Sequence, residues 1–321
     1  MANFDDLQGA VAQFGAGNKV IYDDIGMPSI MVGVPKMKYS DIITGGTEEV
    51  LPFFVVDGGE KEAIYVSKFA NIVENDRAYS LGMKLPRNYI TFDQAVAACK
   101  AKGNGWHLNQ TGIFAVLNLL SQKMGTVPHG NTNYGKDYYH AYEHGIQPQG
   151  ETGRTLTGSG GPTWYHNHDM SGIADLNGNV WEWTGGFRLM NGEIQIIPYG
   201  NCMKLDCDMS EDSTLWKAIM PNGSLVAPGT AGTLKIDQTS ATAGIRINTT
   251  VQYPTSGDTY RYIPFKTLTA ASGVTIPKLL IALGVFPDSG ITGYGNDHIW
   301  MRNHGERLPL RGSSFHFTSH S

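Results

Sequence analysis

Residues 175–184 read DLNGNVWEWT and place an Asn-Gly pair, two tryptophans and two carboxylates in one short segment. Asn-Gly between extended runs predicts a tight hairpin turn, because both residues tolerate a positive φ. In the strand predicted after this turn, side chains alternate between faces, so Trp181 and Trp183 share one face and Glu182 lies on the other. We expect both tryptophans in the core, whereas Glu182 is either a surface group or a ligand.

The composition limits the classes to which the protein can belong. The chain has 321 residues, of which 41% are hydrophobic and 17% charged, and 40 of them are glycine. These values predict many turns around an aromatic-rich core, in one large domain or two modest ones. A net charge of -5, without a run of Lys or Arg, argues against nucleic-acid binding.

Neither the N-terminal residues nor any later segment indicates a membrane protein. The opening residues carry acids where a signal peptide carries bases. Every apolar run is shorter than a membrane span. We therefore expect synthesis in a cytoplasm and no membrane insertion.

Cys99, Cys202 and Cys207 are the three cysteines of the chain. Their odd number, without an export signal, predicts no disulfide framework. The spacing of Cys202 and Cys207 suits a small closed loop or a metal site with a partner, but free or half-buried thiols are the favoured interpretation.

Two helices are predicted in the first half of the chain. Thr91, followed three residues later by Gln94, forms a capping box, and an apolar stripe then continues towards Gly103, which ends the helix. A second amphipathic helix is predicted over 111–124, with Gly125 directly after it.

Short strands account for most of the remaining pattern. A strand is predicted in the segment that begins at residue 28, and hairpin turns are predicted at 57–59 and 191–192. An apolar strand is predicted within 279–286. The long segment after Gly125 is polar, Gly-rich and aromatic, which is typical of irregular functional loops. The fold class is therefore α+β, with two helices, short antiparallel strands and high loop content.

Two motifs indicate a family. IADLNGNVWEWTGG at 173–186, followed far downstream by ERLPLRGSSF at 306–315, resembles the formylglycine-generating-enzyme fold, also called the sulfatase-modifying-factor fold. This fold is an elaborated C-type-lectin-like domain. The resemblance implies an N-terminal lead-in at 1–29 and one such domain over 30–321, interrupted by an excursion at about 203–262 that matches nothing in the family.

Within this superfamily, the chain is most similar to the ligand-binding variable proteins of diversity-generating retroelements, in phages and bacteria. MPSIMVGVPK, IYVSKFANIVENDRAYSLG and GEIQIIP look like phage-borne members. In such proteins, a segment diversified through adenine codons follows RLPLRGG, which corresponds here to residues 313–321. Together with the loop before the motif, this segment forms a variable tip at about 291–321. Such proteins continue with a final strand ending near GFR, whereas this sequence reads to Ser321.

The resemblance implies that the tip binds the ligand. We expect the following residues to cluster on one exposed face: Tyr294, Asn296, His298, Trp300, His304, Ser314, His316, Phe317 and His320. Tyrosine, tryptophan, histidine and serine suit such a surface, because rigid aromatic rings give contact area and small polar groups adapt.

The family contains both enzymes and binding proteins. Formylglycine-generating enzymes need a reactive cysteine pair beside the RGGS segment, but residues 311–321 contain no cysteine. We therefore expect a non-catalytic receptor-binding protein of the adhesin or tail-fibre-tip type, encoded by a phage. Its expected location is the virion, and its expected partners are a bacterial cell-surface protein or glycan and other virion or tail proteins. By analogy with fibre tips it forms a homotrimer. A metal-dependent oxidase and a structural virion protein without its own ligand are the alternatives.

The resemblance also implies a calcium ion. In formylglycine-generating enzymes the motif binds calcium through positions that correspond here to Asp175, Gly178, Val180 and Glu182. A hard cation prefers such carboxylate and carbonyl oxygens. The alternative is that the motif only forms a turn and that Glu182 pairs with a base such as Arg188 or Arg311.

Overall fold

The computed structural model describes residues 4–318, and in this range the chain is a mixed α+β protein with five α-helices and nineteen short strands. The helices are α1 (Phe4–Ala12), α2 (Tyr39–Ile42), α3 (Phe92–Lys100), α4 (Thr111–Met124) and α5 (Lys278–Ala282). The strands of the first half are β1 (Asn18–Tyr22), β2 (Pro28–Pro35), β3 (Val55–Val56), β4 (Gly59–Glu60), β5 (Ala63–Ser67), β6 (Ile72–Glu74) and β7 (Arg77–Tyr79). Those of the second half are β8 (Glu182–Trp183), β9 (Phe187–Met190), β10 (Glu193–Ile196), β11 (Lys217–Ile219), β12 (Leu225–Val226), β13 (Lys235–Asp237), β14 (Arg246–Asn248), β15 (Arg261–Pro264), β16 (Thr269–Ala270), β17 (His298–Met301), β18 (Glu306–Arg307) and β19 (Leu310–Arg311).

Helices α3 and α4 confirm the predictions made from capping signals. Thr91 Oγ1 accepts a hydrogen bond from Gln94 N at 3.2 Å, and Gln94 Oε1 accepts one from Thr91 N at 3.0 Å. Both bonds of the capping box are therefore present. Gly125 ends α4 with a φ of 70°, a left-handed conformation that glycine adopts without steric cost.

Three other helices, α1, α2 and α5, were not predicted, and α2 lies at the end of the segment from residue 28 that was predicted as a strand. Helix α1 lies within the segment interpreted as a lead-in. Helix α5 replaces the strand expected within 279–286, so that prediction was wrong. The physical reason is that a continuous apolar run has no clear period, and Leu280, Ile281 and Ala282 are buried on a helix as readily as on a strand.

The strands form two sheets of more than two strands. Strands β1, β2 and β5 form a three-stranded antiparallel sheet, with β5 at one edge. The larger sheet has eight strands and follows the order β12-β11-β10-β13-β14-β16, with β9 between β10 and β18. Strands β11 to β14 come from residues 203–262, so the excursion contributes half of the main sheet.

A large cluster of buried side chains joins the small sheet, α4 and the main sheet. Ile113 and Leu117 of α4 are fully buried in it, together with Ile194 of β10. A smaller cluster lies beneath α1 and includes Phe69 and Tyr165. Within residues 4–318, none of the helices combines the length and the hydrophobicity that crossing a bilayer requires.

Two of the three predicted hairpin turns are present. Asn191 and Gly192 connect β9 to β10 with φ values of 49° and 80°. Residues 57 and 58 connect β3 to β4 in the same way. A hairpin at Asn177-Gly178 was wrongly predicted, because Gly178 pairs instead with Asn131, far away in the chain.

Candidate functional site

A buried pair of asparagines fixes the segment 173–186. Asn131 and Asn179 are fully buried. Asn131 Nδ2 donates to Asn179 Oδ1 at 3.2 Å and to the carbonyl oxygen of Gly153 at 2.8 Å. Asn179 Nδ2 donates to Thr155 O at 3.1 Å, and Asn179 Oδ1 accepts from Thr155 N at 2.9 Å. The motif is therefore held by amide hydrogen bonds to two other loops.

Glycine is required where these segments cross. A Cβ atom on Gly178 would lie 2.4 Å from the carbonyl oxygen of Asn131, and Gly178 also has a φ of 79°. A Cβ atom on Gly130 would lie 1.8 Å from the carbonyl oxygen of Asn177. The Asn-Gly pair thus permits close backbone approach rather than a hairpin.

Asp175 and Glu182 form a pair of poorly compensated carboxylates. Asp175 is 2% exposed, and its Oδ2 accepts from Gly158 N at 2.8 Å. Its Oδ1 is buried and has no hydrogen-bond partner within the described residues. Burial raises the pKa of Asp175 to about 6. Burial, and then the charge of Asp175, raise the pKa of Glu182 to about 8.

Neither arginine proposed as a partner of Glu182 pairs with it. Arg188 Nη1 donates to Glu306 Oε1 at 2.8 Å. Arg311 is the cross-strand neighbour of Glu182, but its Nη2 donates to the carbonyl oxygen of Leu283 at 2.9 Å. The ion-pair alternative for Glu182 was therefore wrong.

The predicted calcium ligands fit a hard cation in their chemistry. Among the residues that the structure describes, a buried oxygen of Asp175 has no partner, and the charge of Asp175 acts on Glu182. Gly178 and Val180 lie on the chain between them and bring main-chain carbonyl oxygens. No group of three or more His, Cys, Asp or Glu side chains suited to a metal is found in residues 4–318. A cation here would therefore need main-chain oxygens.

Aromatic side chains form a continuous surface beside the C-terminal segment. Tyr262 of β15 and Trp300 of β17 stack at 4.2 Å between ring centroids, with an interplanar angle of 19°. Phe317 contacts Trp300 edge-on at 5.5 Å and Trp181 at 5.1 Å. We call these four residues the aromatic face. Tyr262 is 52% exposed and Trp300 is 38% exposed.

Strand register explains the stacking of Tyr262 and Trp300. Phe265 N donates to Asp297 O at 2.7 Å, directly beyond the end of the β15–β17 ribbon. In an antiparallel pair, hydrogen-bonded and non-hydrogen-bonded positions alternate. Tyr262 and Trp300 therefore occupy a non-hydrogen-bonded position, where side chains lie closest together.

The two motif tryptophans have different environments. Trp183 is half-buried and packs edge-on against Phe92 at 5.9 Å, and its Nε1 donates to Ile90 O at 2.9 Å. Trp181 belongs to the aromatic face, so its prediction as a core residue was wrong. Strand β8 begins only at Glu182, and the alternation rule therefore does not apply to Trp181.

Most of the predicted tip residues lie at or near this surface. His316 contacts Phe317 at 5.9 Å, and His298 contacts Tyr262 at 6.1 Å. Asn296 is exposed, and its Nδ2 donates to the hydroxyl of Tyr139 at 2.7 Å. His320 lies outside the described residues.

Three predicted tip residues are placed differently from what we expected. Tyr294 is 3% exposed, because its hydroxyl accepts from Asp288 N at 2.7 Å and its ring packs edge-on against Phe265 at 5.2 Å. Ser314 is also buried. His304 is half-buried and lies 3.0 Å from Thr255 Oγ1 and 3.1 Å from Arg307 Nη2. Tyr294 and Ser314 therefore support the tip rather than line its surface.

Two parts of the surface were not among the predicted tip residues. Tyr262 lies in the excursion, where no pattern pointed to it. The segment 131–144 carries four exposed tyrosines and reaches the tip through Tyr139 and Asn296. These tyrosines are Tyr134, Tyr138, Tyr139 and Tyr142. Their density in the sequence was visible, but packing within the loop explained them equally well.

No protein-family model matches this sequence, and no curated protein is significantly similar to it. Function is therefore inferred from the side chains of the aromatic face, the neighbouring tyrosines and the carboxylate pair of Asp175 and Glu182.

Proposed function

We propose that this protein is a non-catalytic receptor-binding protein, encoded by a phage and built on a C-type-lectin-like domain of the formylglycine-generating-enzyme type. It binds a protein or glycan on a bacterial surface through its C-terminal tip. The observation that carries this proposal is the aromatic face, in which exposed Tyr262 and Trp300 stack beside Phe317. A few aromatic anchors contribute most of the binding energy in protein interfaces.

The chemistry of the surrounding surface supports recognition. Exposed aromatic groups cost solubility, and contiguous ones mark interaction sites. The tyrosines of 131–144 extend the aromatic face, and their loop is held rigidly: Asp137 Oδ1 accepts from Tyr139 N at 2.9 Å and from His140 N at 2.7 Å. A preorganised loop loses little conformational entropy on binding.

The thiols support a non-catalytic role. Burial raises the pKa of Cys202 to about 12 and that of Cys99 to about 11, and it also raises the pKa of Cys207. The thiolate is the form that attacks substrates and binds metals, so thiols whose pKa is raised in this way are poor nucleophiles at neutral pH. This argues against the oxidase alternative.

The expected setting of the protein is a virion, at a tail or fibre tip, where it contacts other tail proteins as a homotrimer. A reverse-transcriptase gene and a near-identical template repeat beside the coding sequence would support this origin. If neither lies there, diversification of the tip by a retroelement is refuted.

Replacing the exposed stack should remove ligand binding without unfolding the protein. We expect the double variant Tyr262→Ala/Trp300→Ala to bind intact cells of a responsive bacterial strain at least about tenfold more weakly, because aromatic hot spots are worth 2 kcal/mol or more. Binding of fluorescently labelled protein to a panel of bacterial strains measures this. Tyr89→Ala is the matched control, since Tyr89 is 93% exposed and has no ring contact with the aromatic face in the described structure.

Equal binding by the double variant and the wild type would contradict the placement of the binding surface. Failure of the wild type to bind any strain would instead favour a structural virion protein without its own ligand.

We also propose that Asp175 and Glu182 hold a calcium ion together with main-chain oxygens of Gly178 and Val180. A ligand that binds only the folded state stabilises it by about 2.7 kcal/mol at 100 times its Kd. Addition of a chelator should therefore lower the Tm of the wild type measured in calcium. Glu182→Gln should show no such difference, whereas Glu74→Gln, at an exposed carboxylate, should respond like the wild type. An unchanged wild-type Tm in chelator would refute the calcium site.

A further inference from the structure

A deep cleft runs along the free edge of the small sheet. Its volume is about 1180 Å³, and it is lined by successive residues of β5, from Ala63 to Ser67. Residues of α3, Trp106 and Trp183 also line it. Neighbouring residues of a strand point to opposite faces, and residues of both faces of β5 line the cleft, so the cleft includes the edge of this strand; Met31 of β2 and Ile21 of β1 show that it also reaches one face of the sheet.

Hydrogen bonding between β2 and β5 shows which backbone groups face this cleft. Lys36 N donates to Glu62 O at 2.8 Å, and Lys68 N donates to Ile30 O at 3.0 Å, at the two ends of the paired region. Hydrogen-bonded positions alternate along an antiparallel pair. The even-numbered residues of β5 therefore point their backbone groups at β2, and the odd-numbered residues point theirs away from it.

Three residues thus present backbone N–H and C=O groups to the cleft, namely Ala63, Tyr65 and Ser67. In the part of the chain that the structure describes, none of these backbone groups makes a hydrogen bond with another residue. A row of unpaired groups on an edge strand is a template for another strand. Here the row lies inside a cleft that leaves room for one.

We propose that the cleft binds an extended peptide of a partner protein, which adds to β5 as a fourth strand. In this mode main-chain hydrogen bonds give affinity, and pockets for alternate side chains give specificity. Five residues of extended peptide span about 17 Å, which matches the five residues of β5.

The lining of the cleft indicates the kind of peptide. Its charged residues nearly balance: Lys61, Arg87 and Lys204 are basic, Asp57 and Asp206 are acidic, and the sixth, Glu182, has a pKa raised to about 8. Lys204 lies 3.0 Å from Asp57 and is already paired. The lining between these groups is mainly apolar and aromatic. The cleft therefore fits a peptide of low net charge with apolar side chains at every second position.

Selection of a random decapeptide display library on the immobilised protein tests this proposal. We expect recovered peptides to share an alternating apolar pattern. Their binding, measured by fluorescence anisotropy, should weaken at least about tenfold in Ala63→Pro/Ser67→Pro, which removes two donors that face the cleft. Proline is tolerated on an edge strand at positions whose N–H points outward. Ala63→Val/Ser67→Thr keeps both donors and should bind normally.

N-methylation of the recovered peptide provides a second measurement that does not depend on protein variants. Methyl groups on alternate peptide nitrogens should abolish binding, whereas methyl groups on the intervening nitrogens should not. Equal effects at both sets of nitrogens, or no recovered peptide, would overturn the proposal. A wild-type dimer in sedimentation experiments that the proline variant converts to monomer would assign the edge to a second copy of this chain, and would overturn it as well.

Discussion

Asn179→Ala should destabilise the protein by at least about 4 kcal/mol, far more than a typical point substitution does. The change leaves the buried N–H and C=O groups of Thr155 without partners and removes one of the two hydrogen bonds that Asn131 Nδ2 donates. Each buried polar group left unsatisfied costs about 1–3 kcal/mol. Asn179 also has a φ of 63°, which costs alanine about 1 kcal/mol more.

Urea denaturation of the variant measures this loss. Asn75→Ala is the matched control, since Asn75 also has a positive φ, at 50°, but is exposed. We expect the control to lose about 1 kcal/mol of stability, which is the cost of a positive φ for alanine. If the two variants were equally stable, the buried amide network would not be what holds the motif.

Trp183→Ala should lose about 3 kcal/mol of stability, at the lower end of the range for large aromatic truncations because Trp183 is only half-buried. Its ring packs on Phe92 and on the large core cluster, and its Nε1–H bonds to Ile90 O. Trp300→Ala should lose less than about 1 kcal/mol, because Trp300 is more exposed.

Chemical denaturation of both variants, with the binding of each to bacterial cells, tests this division of roles. We expect Trp183→Ala to lose stability and Trp300→Ala to lose binding. A Trp183→Ala protein of wild-type stability that no longer binds cells would place Trp183 in the recognition surface instead.

Local signals predicted the elements whose stability is decided locally. The capping box at Thr91 and the glycine after 111–124 act through neighbouring residues, so both helices were predicted from sequence. The hairpin at Asn191-Gly192 likewise depends only on the φ values of two adjacent residues. Residues 279–286 carry no such signal, and the wrong element was predicted there.

Contacts between distant segments could not be predicted in the same way. Asn177-Gly178 has the sequence of a hairpin turn, but Gly130 and Asn131 pack directly against it. Tyr294 is of a residue type that is common in binding surfaces, but its hydroxyl accepts a hydrogen bond from the backbone N–H of Asp288. The conformation at Asn177-Gly178 depends on a segment remote in sequence. The burial of Tyr294 depends on a local hydrogen bond that has no sequence signature.

The candidate surface was predicted in part. His298, Trp300, His316 and Phe317 were expected together, and ring contacts connect them. Tyr262 was missed because strand β15 is short and the sequence around it carries no pattern that predicts pairing with β17. A residue becomes part of a surface through its neighbours in space, which a single sequence does not specify.

The pairing register of β15 and β17 determines which positions of β17 can be substituted without loss of a backbone hydrogen bond. The ladder bonds belong to the positions of Ile299 and Met301, whereas His298 and Trp300 occupy the alternate positions. A substitution at 298 or 300, even to proline, therefore removes no ladder bond between β15 and β17. The shape of the surface can then change by single substitutions while the ribbon is kept, which would give the protein evolvability at the surface proposed to bind its ligand.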